Sequence, residues 1–205
     1  TNSQTLDWLN EISKGPNFQI IRPSFIRNDN SGNIYVVSLQ TVTSPGGTAG
    51  FAQILKYDST GALLWTAATP ADTINPVGWF DVAPDGTSFI TGSNLVTGPG
   101  SFSNGFVQKY DASGAVQWIH VFPDSVMGRA IPLSGGQVRV EVRALSGLGP
   151  NFANTYDAAG TLLSTVPMAN VIASTGPLDP VVASQSNSAG NFCGVLPTGG
   201  SGNPF

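Results

Sequence analysis

The stretch Tyr110-Asp-Ala-Ser-Gly-Ala-Val-Gln-Trp118 decides the fold, because the chain contains three copies of it. The other copies are Tyr57-Asp-Ser-Thr-Gly-Ala-Leu-Leu-Trp65 and Tyr156-Asp-Ala-Ala-Gly-Thr-Leu-Leu-Ser164, and the three glycines lie 53 and 46 residues apart. The Asp carboxylate at this position can bind turn amides, and Gly permits a positive φ. Each copy therefore predicts a hairpin turn between two strands, with its glycine at positive φ.

A second turn motif lies between these copies and occurs four times. It centres on Gly32, Gly86, Gly136 and Gly190, which are separated by 54, 50 and 54 residues. The runs beside both motifs are rich in β-branched and aromatic residues, as is typical of strands. We predict first strands at 19–27, 77–82, 128–133 and 181–185, and second strands at 33–41, 87–94, 137–145 and 191–198. The third strand of each unit ends at the Tyr-Asp pair, and the fourth contains the Trp of the first motif.

Four antiparallel strands that recur about every 51 residues predict an all-β fold of the β-propeller type. We expect one domain over 1–205, or a propeller segment, with about four units at approximately 1–58, 59–111, 112–157 and 158–205. Trp8, Trp65 and Trp118 should occupy equivalent sites on outer strands, where they pack between neighbouring blades.

The N-terminal residues Thr5–Ser13, which include Trp8, match the fourth strands, although no third strand precedes them. An unpaired strand edge exposes backbone amides and carbonyls, so it is usually covered. We therefore predict that Thr5–Ser13 pairs with strand material from elsewhere. One source is the C-terminal unit, which would close a ring within the chain. The other is a second polypeptide, which would complete the incomplete blade by strand exchange.

The chain resembles the SBBP-type β-propeller repeat. That repeat has an Asp-x-x-Gly-Asn-x-Tyr-Val turn followed by Phe-Val-x-Lys-Tyr-Asp-x-x-Gly, and the residues from Asp29 to Val37 and from Phe106 to Gly114 match it. The likeness extends over nearly the whole chain. It implies a propeller fold without a particular activity, because propellers include lectins, scaffolds, adhesins and enzymes. The third unit departs most, with Leu133 in place of the turn Asp and Ser164 in place of the Trp.

The composition argues against several classes of partner. The chain has 8 Lys+Arg and 12 Asp+Glu, and its net charge is −4. No basic stripe is present that could neutralise nucleic-acid phosphates, so we exclude nucleic acid. No window approaches the ~18 uncharged apolar residues of a membrane span. A single cysteine, Cys193, and a single histidine, His120, allow neither an internal disulfide nor a two-histidine metal site.

The sequence predicts no catalytic residue, no metal ligand and no cofactor. The repeated Asp residues are explained by turn chemistry. The run at Asp29 has Gln40 where a calcium loop of the EF-hand type requires a Glu. His120 follows Trp118 on an outer strand, and Cys193 lies in an apolar second strand, so we interpret both as packing residues.

Two places in the sequence are candidate binding sites. In the third unit Arg139, Glu141 and Arg143 alternate with three valines, so one face of a second strand is polar. This face is either a structural ladder of opposite charges or a contact site for a partner or an anionic ligand. The other place is Trp79-Phe-Asp81 in the first strand of the second unit. An aromatic ring beside a carboxylate can stack on a sugar and accept hydrogen bonds from its hydroxyls, and the alternative is core packing.

We expect a non-catalytic structural or interaction module of an extracellular assembly, cell surface or virion. Its partners would be other proteins, including copies of itself bound through an incomplete blade. A second hypothesis is a lectin-like propeller that binds glycans. A third is a lactonase-like hydrolase with a central metal ion.

Overall fold

A computed structural model describes residues 18–44, 47–69, 77–95, 103–144, 151–168, 184–186 and 192–194. The predicted N-terminal strand Thr5–Ser13, with Trp8, lies outside these residues. So do most of the predicted strands of the fourth unit.

Three antiparallel sheets make up most of the described chain, and each has its four strands in sequence order. Sheet 1 contains β1 (Phe18–Asn28), β2 (Ile34–Ser44), β3 (Gly47–Tyr57) and β4 (Leu63–Ala68). Sheet 2 contains β5 (Val77–Val82), β6 (Ser88–Leu95), β7 (Ser103–Tyr110) and β8 (Val116–Phe122). Sheet 3 contains β9 (Ser125–Pro132), β10 (Val138–Ala144), β11 (Phe152–Tyr156) and β12 (Leu162–Pro167).

The remaining elements are short. A 3-10 turn at Ser134–Gly136 joins β9 to β10. Strands β13 (Ser184–Ser186) and β14 (Phe192–Gly194) pair in antiparallel orientation, and the fourth copy of the second turn motif lies between them in sequence. The chain divides into two compact units, Thr1–Asn170 and Val171–Phe205, and this strand pair belongs to the second.

The predicted all-β fold with repeated four-stranded units is confirmed for three units. Over the described residues the three sheets do not close into a ring. The unit boundaries predicted after residues 58, 111 and 157 fall in the turns between the third and fourth strands of these sheets. One sheet therefore contains one complete repeat, counted from its first strand.

The turns follow the predicted chemistry. Gly61, Gly114 and Gly160 have φ values of 86°, 85° and 87°, so the predicted positive φ is confirmed at all three. In the second copy, Asp111 Oδ1 accepts hydrogen bonds from the backbone N–H groups of Ser113 and Ala115 at 2.9 and 3.0 Å. The repeated Asp therefore organises the turn as the sequence indicates.

Two apolar cores lie between neighbouring sheets. The first includes Tyr35 and Ile54 of sheet 1 with Phe80 and Ile90 of sheet 2. The second joins residues of sheet 2 to Val138, Val140 and Val142 of β10, all fully buried. Because side chains alternate across a strand, these valines leave the polar positions of β10 on its opposite face.

A repeated polar contact connects each sheet to the next, and we call it the inter-sheet latch. In its first copy, Lys56 Nζ of β3 and Trp65 Nε1 of β4 donate to the carbonyl oxygen of Ala112 at 3.2 and 2.9 Å. This carbonyl belongs to the turn after β7. The neighbouring Gly114 lies so close to the indole that a Cβ there would be 2.8 Å from the ring.

The second copy connects sheet 2 to sheet 3 in the same way. Lys109 Nζ and Trp118 Nε1 donate to Ala158 O at 2.7 and 3.3 Å, and a Cβ on Gly160 would lie 2.9 Å from the indole. Trp65 and Trp118 therefore occupy equivalent sites between sheets, as predicted. Sheet 3 has Thr155 and Ser164 at the positions of the Lys and the Trp.

Candidate binding site on the first strands

The first strands of the three sheets lie side by side, with β1 against β5 and β5 against β9. Each contains a β-bulge where it pairs with its second strand. In β1 and β5 the extra residues are Ser24 and Gly78, and in β9 the residues Gly128 and Arg129 lie opposite Glu141. A Cβ on Gly78 would be only 3.0 Å from the carbonyl oxygen of Met127, so the glycine permits β5 and β9 to approach closely.

The bulges place three residues with the same repeat position next to one another. Phe25, Trp79 and Arg129 each lie seven residues before the glycine of the second turn motif. The rings of Phe25 and Trp79 meet edge to face, with centroids 5.8 Å apart. The guanidinium carbon of Arg129 lies 4.6 Å from the centroid of Trp79. Each of the three sheets thus contributes one member of an aromatic and cationic stack.

An ion pair lies two residues further along the first strands. Arg27 of β1 and Asp81 of β5 both lie five residues before their turn glycines, and Arg27 Nε is 3.5 Å from Asp81 Oδ1. The Arg27 guanidinium carbon also lies 5.3 Å from the centroid of Trp79. The side chains of Arg27 and Asp81 are 31% and 29% exposed, so a solute can reach both. We call Phe25, Arg27, Trp79, Asp81 and Arg129 the first-strand cluster.

The surroundings of Asp81 change the pKa of its carboxyl group. Burial raises the pKa of this carboxyl above its ordinary value, although a hydrogen bond from the Val82 backbone and the positive charge of Arg27 act in the opposite direction. The carboxylate is therefore a hydrogen-bond acceptor that is incompletely solvated in the free protein.

The polar face predicted on β10 lies beside this cluster. Glu141 is buried, and its Oε2 accepts long hydrogen bonds of 3.4 Å from the backbone N–H of Arg129 and from Arg143 Nη2. The side chain of Arg143 is 41% exposed. Arg139 lies on the same strand and is partly buried. Glu141 and Arg143 form an ion pair within β10, and the carboxylate of Glu141 also binds the bulge of β9.

The structure thus brings the two predicted places together through Arg129. Its backbone binds Glu141, and its guanidinium lies over Trp79. This connected group includes four of the residues predicted from sequence: Trp79, Asp81, Glu141 and Arg143. Arg27, Phe25 and Arg129 were missed. The signal for Phe25 and Arg129 was their shared position with Trp79 in the repeat.

His120, which we interpreted as a packing residue, contacts the neighbouring sheet. His120 Nε2 lies 2.8 Å from the carbonyl oxygen of Gly160, and its ring stacks on Tyr156 with centroids 4.6 Å apart. Cys193 lies on β14, opposite Gln185. Over the described residues, no group of three His, Cys, Asp or Glu side chains could hold a metal ion. In that same part of the chain, no helix is long and apolar enough to cross a membrane.

Comparisons with known proteins give only distant similarities. No protein-family model and no curated protein matches the chain. Among solved structures, a mutant of the apocarotenoid oxygenase of Synechocystis is 14% identical with a TM-score of 0.42, covering 70% of this chain and 38% of the oxygenase. A chimera of apocarotenoid oxygenase and RPE65 is 13% identical with a TM-score of 0.45, covering 72% and 39%. The chain spans about two fifths of the length of these proteins. At this level of similarity they say nothing about its activity.

Proposed function

We propose that the chain is a non-catalytic interaction module of the β-propeller type, part of an extracellular assembly, a cell surface or a virion. Its ligand-contact surface is the first-strand cluster. The all-β repeat supports the architecture, and a content of only 10% charged residues is common on exported proteins.

One observation supports this assignment of the surface. The latch positions contain the same residues in the first two repeats, where a latch forms: Lys56 and Lys109, and Trp65 and Trp118. At the first-strand positions, by contrast, the three repeats differ, and the differing side chains converge. Identical residues satisfy a structural requirement that these two repeats share. Different residues at one partly exposed place provide an individual surface, which is what recognition requires.

Saccharides are the ligand class that this surface fits best, which makes the lectin-like hypothesis the second candidate. The rings of Phe25 and Trp79 provide apolar surface for a sugar face, and Asp81 lies two residues from Trp79 on the same side of β5. A carboxylate beside an aromatic ring can accept hydrogen bonds from sugar hydroxyls.

The test is a glycan array that includes neutral and acidic saccharides, followed by titration of each positive ligand. We expect a ligand whose binding Trp79→Ala abolishes, whereas Leu163→Ala, a change at an exposed position of β12, leaves binding unchanged. Mass spectrometry should recover the ligand chemically intact. An array without any bound ligand, or binding that Trp79→Ala does not alter, would contradict saccharide binding at this surface. Conversion of the ligand to a product would contradict the non-catalytic role.

A further inference from the structure

Three buried polar side chains lie in the core between sheets 1 and 2. Ser88 of β6 lies opposite Tyr110 of β7, and Gln108 lies two residues before Tyr110 on the same strand. Side chains at such positions share one face of a sheet. Tyr110 packs in the first apolar core with residues of sheet 1, so this face points toward sheet 1. The exposed fractions of Ser88, Gln108 and Tyr110 are 0%, 1% and 0%.

Each of these side chains has a polar atom without a hydrogen-bond partner among the described residues. The atoms are Ser88 Oγ, Gln108 Oε1 and Tyr110 OH. A buried polar atom without a partner destabilises the folded state, so nearly all such atoms in native proteins bind protein groups or ordered water. Three of them on one face of a sheet therefore indicate a small polar ligand inside the core.

The core between sheets 2 and 3 satisfies the equivalent atoms with protein groups. Thr165 Oγ1 donates to Asn154 Oδ1 at 2.8 Å, and Asn154 Nδ2 donates to the hydroxyl oxygen of Tyr156 at 2.9 Å. Asn154 and Tyr156 have the repeat positions of Gln108 and Tyr110. Sheet 3 thus connects a hydroxyl, an amide and a phenol directly, without a ligand.

Sheet 2 lacks this network because of two differences from sheet 3. Ile119 occupies the position of Thr165 opposite the amide side chain, so Gln108 Oε1 lacks the hydroxyl donor that sheet 3 provides. Ser88 occupies the position of Val138 opposite the tyrosine, so sheet 2 has an additional hydroxyl. One atom therefore needs a donor and another needs a partner on the same face, and a molecule that bridges them would satisfy both.

We propose that an internal water molecule binds Ser88 Oγ, Gln108 Oε1 and Tyr110 OH in the core between sheets 1 and 2. The water donates to the amide oxygen, as the threonine hydroxyl does in sheet 3, and it accepts from a hydroxyl group. Buried water typically makes about three hydrogen bonds to polar atoms that are otherwise unsatisfied, and this site provides three such atoms. The site shares no residue with the first-strand cluster, so the inference goes beyond the proposed function.

The hydroxyl of Tyr110 is able to donate to this water. Burial raises the pKa of Tyr110, so the hydroxyl keeps its proton at neutral pH. The side chain of Gln108 acts on this pKa in the opposite direction, but the two groups do not meet the geometry of a hydrogen bond. The water would therefore connect two neighbouring side chains that do not pair directly.

The first test is a crystal structure of the unaltered chain at a resolution that shows ordered water. We expect one water molecule within about 2.5–3.2 Å of at least two of the three atoms. A site without water density would overturn the proposal. So would a structure in which the three side chains pair with one another or with other protein groups.

The second test counts long-lived internal water in solution by oxygen-17 magnetic relaxation dispersion. Ser88→Val, Gln108→Asn and Ile119→Thr together introduce the residues of sheet 3, which pair without a ligand. This triple variant should show about one long-lived water fewer than the unaltered protein. Val116→Ser, at an exposed position of the same strand β8, is the control and should leave the number unchanged.

An equal number of long-lived waters in the triple variant and the unaltered protein would overturn the proposal, and so would an equal loss in Val116→Ser. Circular dichroism establishes that both variants fold. If the triple variant fails to fold, the crystal structure of the unaltered chain still decides the question.

Discussion

At the scale of single residues, a turn position can require glycine for two separate reasons: its φ and the space around its Cβ. Gly114 has a φ of +85°, and a Cβ there would also lie 2.8 Å from the Trp65 ring. Gly135 has a φ of +71°, with nothing within 4 Å of such a Cβ. The first position therefore needs glycine for its conformation and for the close approach of the indole. The second needs it for conformation alone.

We expect Gly135→Ala to lower the free energy of unfolding by about 1 kcal/mol, the cost of a left-handed alanine. Gly114→Ala should cost about 2–4 kcal/mol, because the added methyl group also forces the Trp65 ring away from its latch. Urea denaturation of both variants measures the difference. Equal losses would show that the indole moves aside without cost, contrary to our interpretation of the latch.

Asp29 is a buried carboxylate that accepts several hydrogen bonds and pairs with a lysine. It accepts hydrogen bonds from the backbone N–H groups of Ser31 and Asn33 at 2.9 and 3.0 Å, and Lys56 Nζ lies 3.6 Å from its Oδ2. Burial alone would raise the pKa of Asp29, but the hydrogen bonds from Asn33, Ser31 and Tyr35 together hold it below its ordinary value. Lys109, the equivalent of Lys56, has Ala83 where Asp29 would be in its repeat.

The lowered pKa of Asp29 gives a stability that depends on pH in a known direction. The contribution is complete above the unfolded value of about 4 and is lost as pH falls through the lower folded value. At pH 7, Asp29→Asn should cost about 3 kcal/mol, because it leaves Lys56 buried without its counter-charge. The gap between the two proteins should narrow below pH 4. Urea denaturation from pH 7 to pH 2 measures it.

The control for this prediction is Asp124→Asn, at an exposed turn position with a φ of 51° that asparagine also tolerates. Its unfolding free energy at pH 7 should stay within about 0.5 kcal/mol of that of the unaltered protein. A difference between Asp29→Asn and the unaltered protein that does not change with pH would contradict the assignment.

At the scale of elements, the latch is a cooperative contact between a strand pair and the next turn. Trp118→Ser introduces the residue that sheet 3 has at this position, and it should cost about 3 kcal/mol. Lys109→Met should cost about 1 kcal/mol, the value of an ordinary buried hydrogen bond. Both side chains donate to the same carbonyl oxygen of Ala158, so the two losses should not be additive in the double variant.

Denaturant titrations of the two single variants and the double variant form the required cycle. Val116→Ser is the control, because this side chain lies on the same strand and is 52% exposed. It should change the unfolding free energy by no more than about 0.5 kcal/mol. Strictly additive losses, or a loss for Val116→Ser as large as that for Trp118→Ser, would contradict a specific latch.

The strands could be predicted from sequence because two local signals agreed. Residue alternation marked the strands, and the glycines at 32, 61, 86 and 114 marked the turns between them. The bulges could not be predicted, since a bulge depends on which residues face each other across two strands. Arg129 was missed for this reason: its place beside Trp79 follows from the bulges of β5 and β9, and its side chain differs from those of the equivalent Phe25 and Trp79.

At the scale of the whole molecule, the sequence predicts the repeat more securely than the closure of the repeat. Each sheet forms from contiguous residues, so its topology follows from local turns. Closure depends on contacts between residues far apart in sequence, for which the repeat gives only one indication. That indication is Leu6-Asp-Trp8, which matches Leu63-Leu-Trp65 of β4. Sheet 1 has the same kind of turn at Asp58–Gly61, with the same φ at its glycine, so we predict that Trp8 donates to this turn in a third latch.

We expect Trp8→Ser to lower the free energy of unfolding by about 2–4 kcal/mol, as much as Trp65→Ser, because Trp65 is a partly buried indole and we predict the same kind of contact for Trp8. Leu163→Ala serves as the unaffected control. The melting temperature then identifies the strand that pairs with Thr5–Ser13. Pairing within the chain gives a melting temperature independent of protein concentration, whereas a strand from a second copy makes it rise with concentration. If Trp8→Ser unfolds like the unaltered protein while Trp65→Ser is destabilised, the N-terminal segment is not part of a blade, and both routes to closure fail.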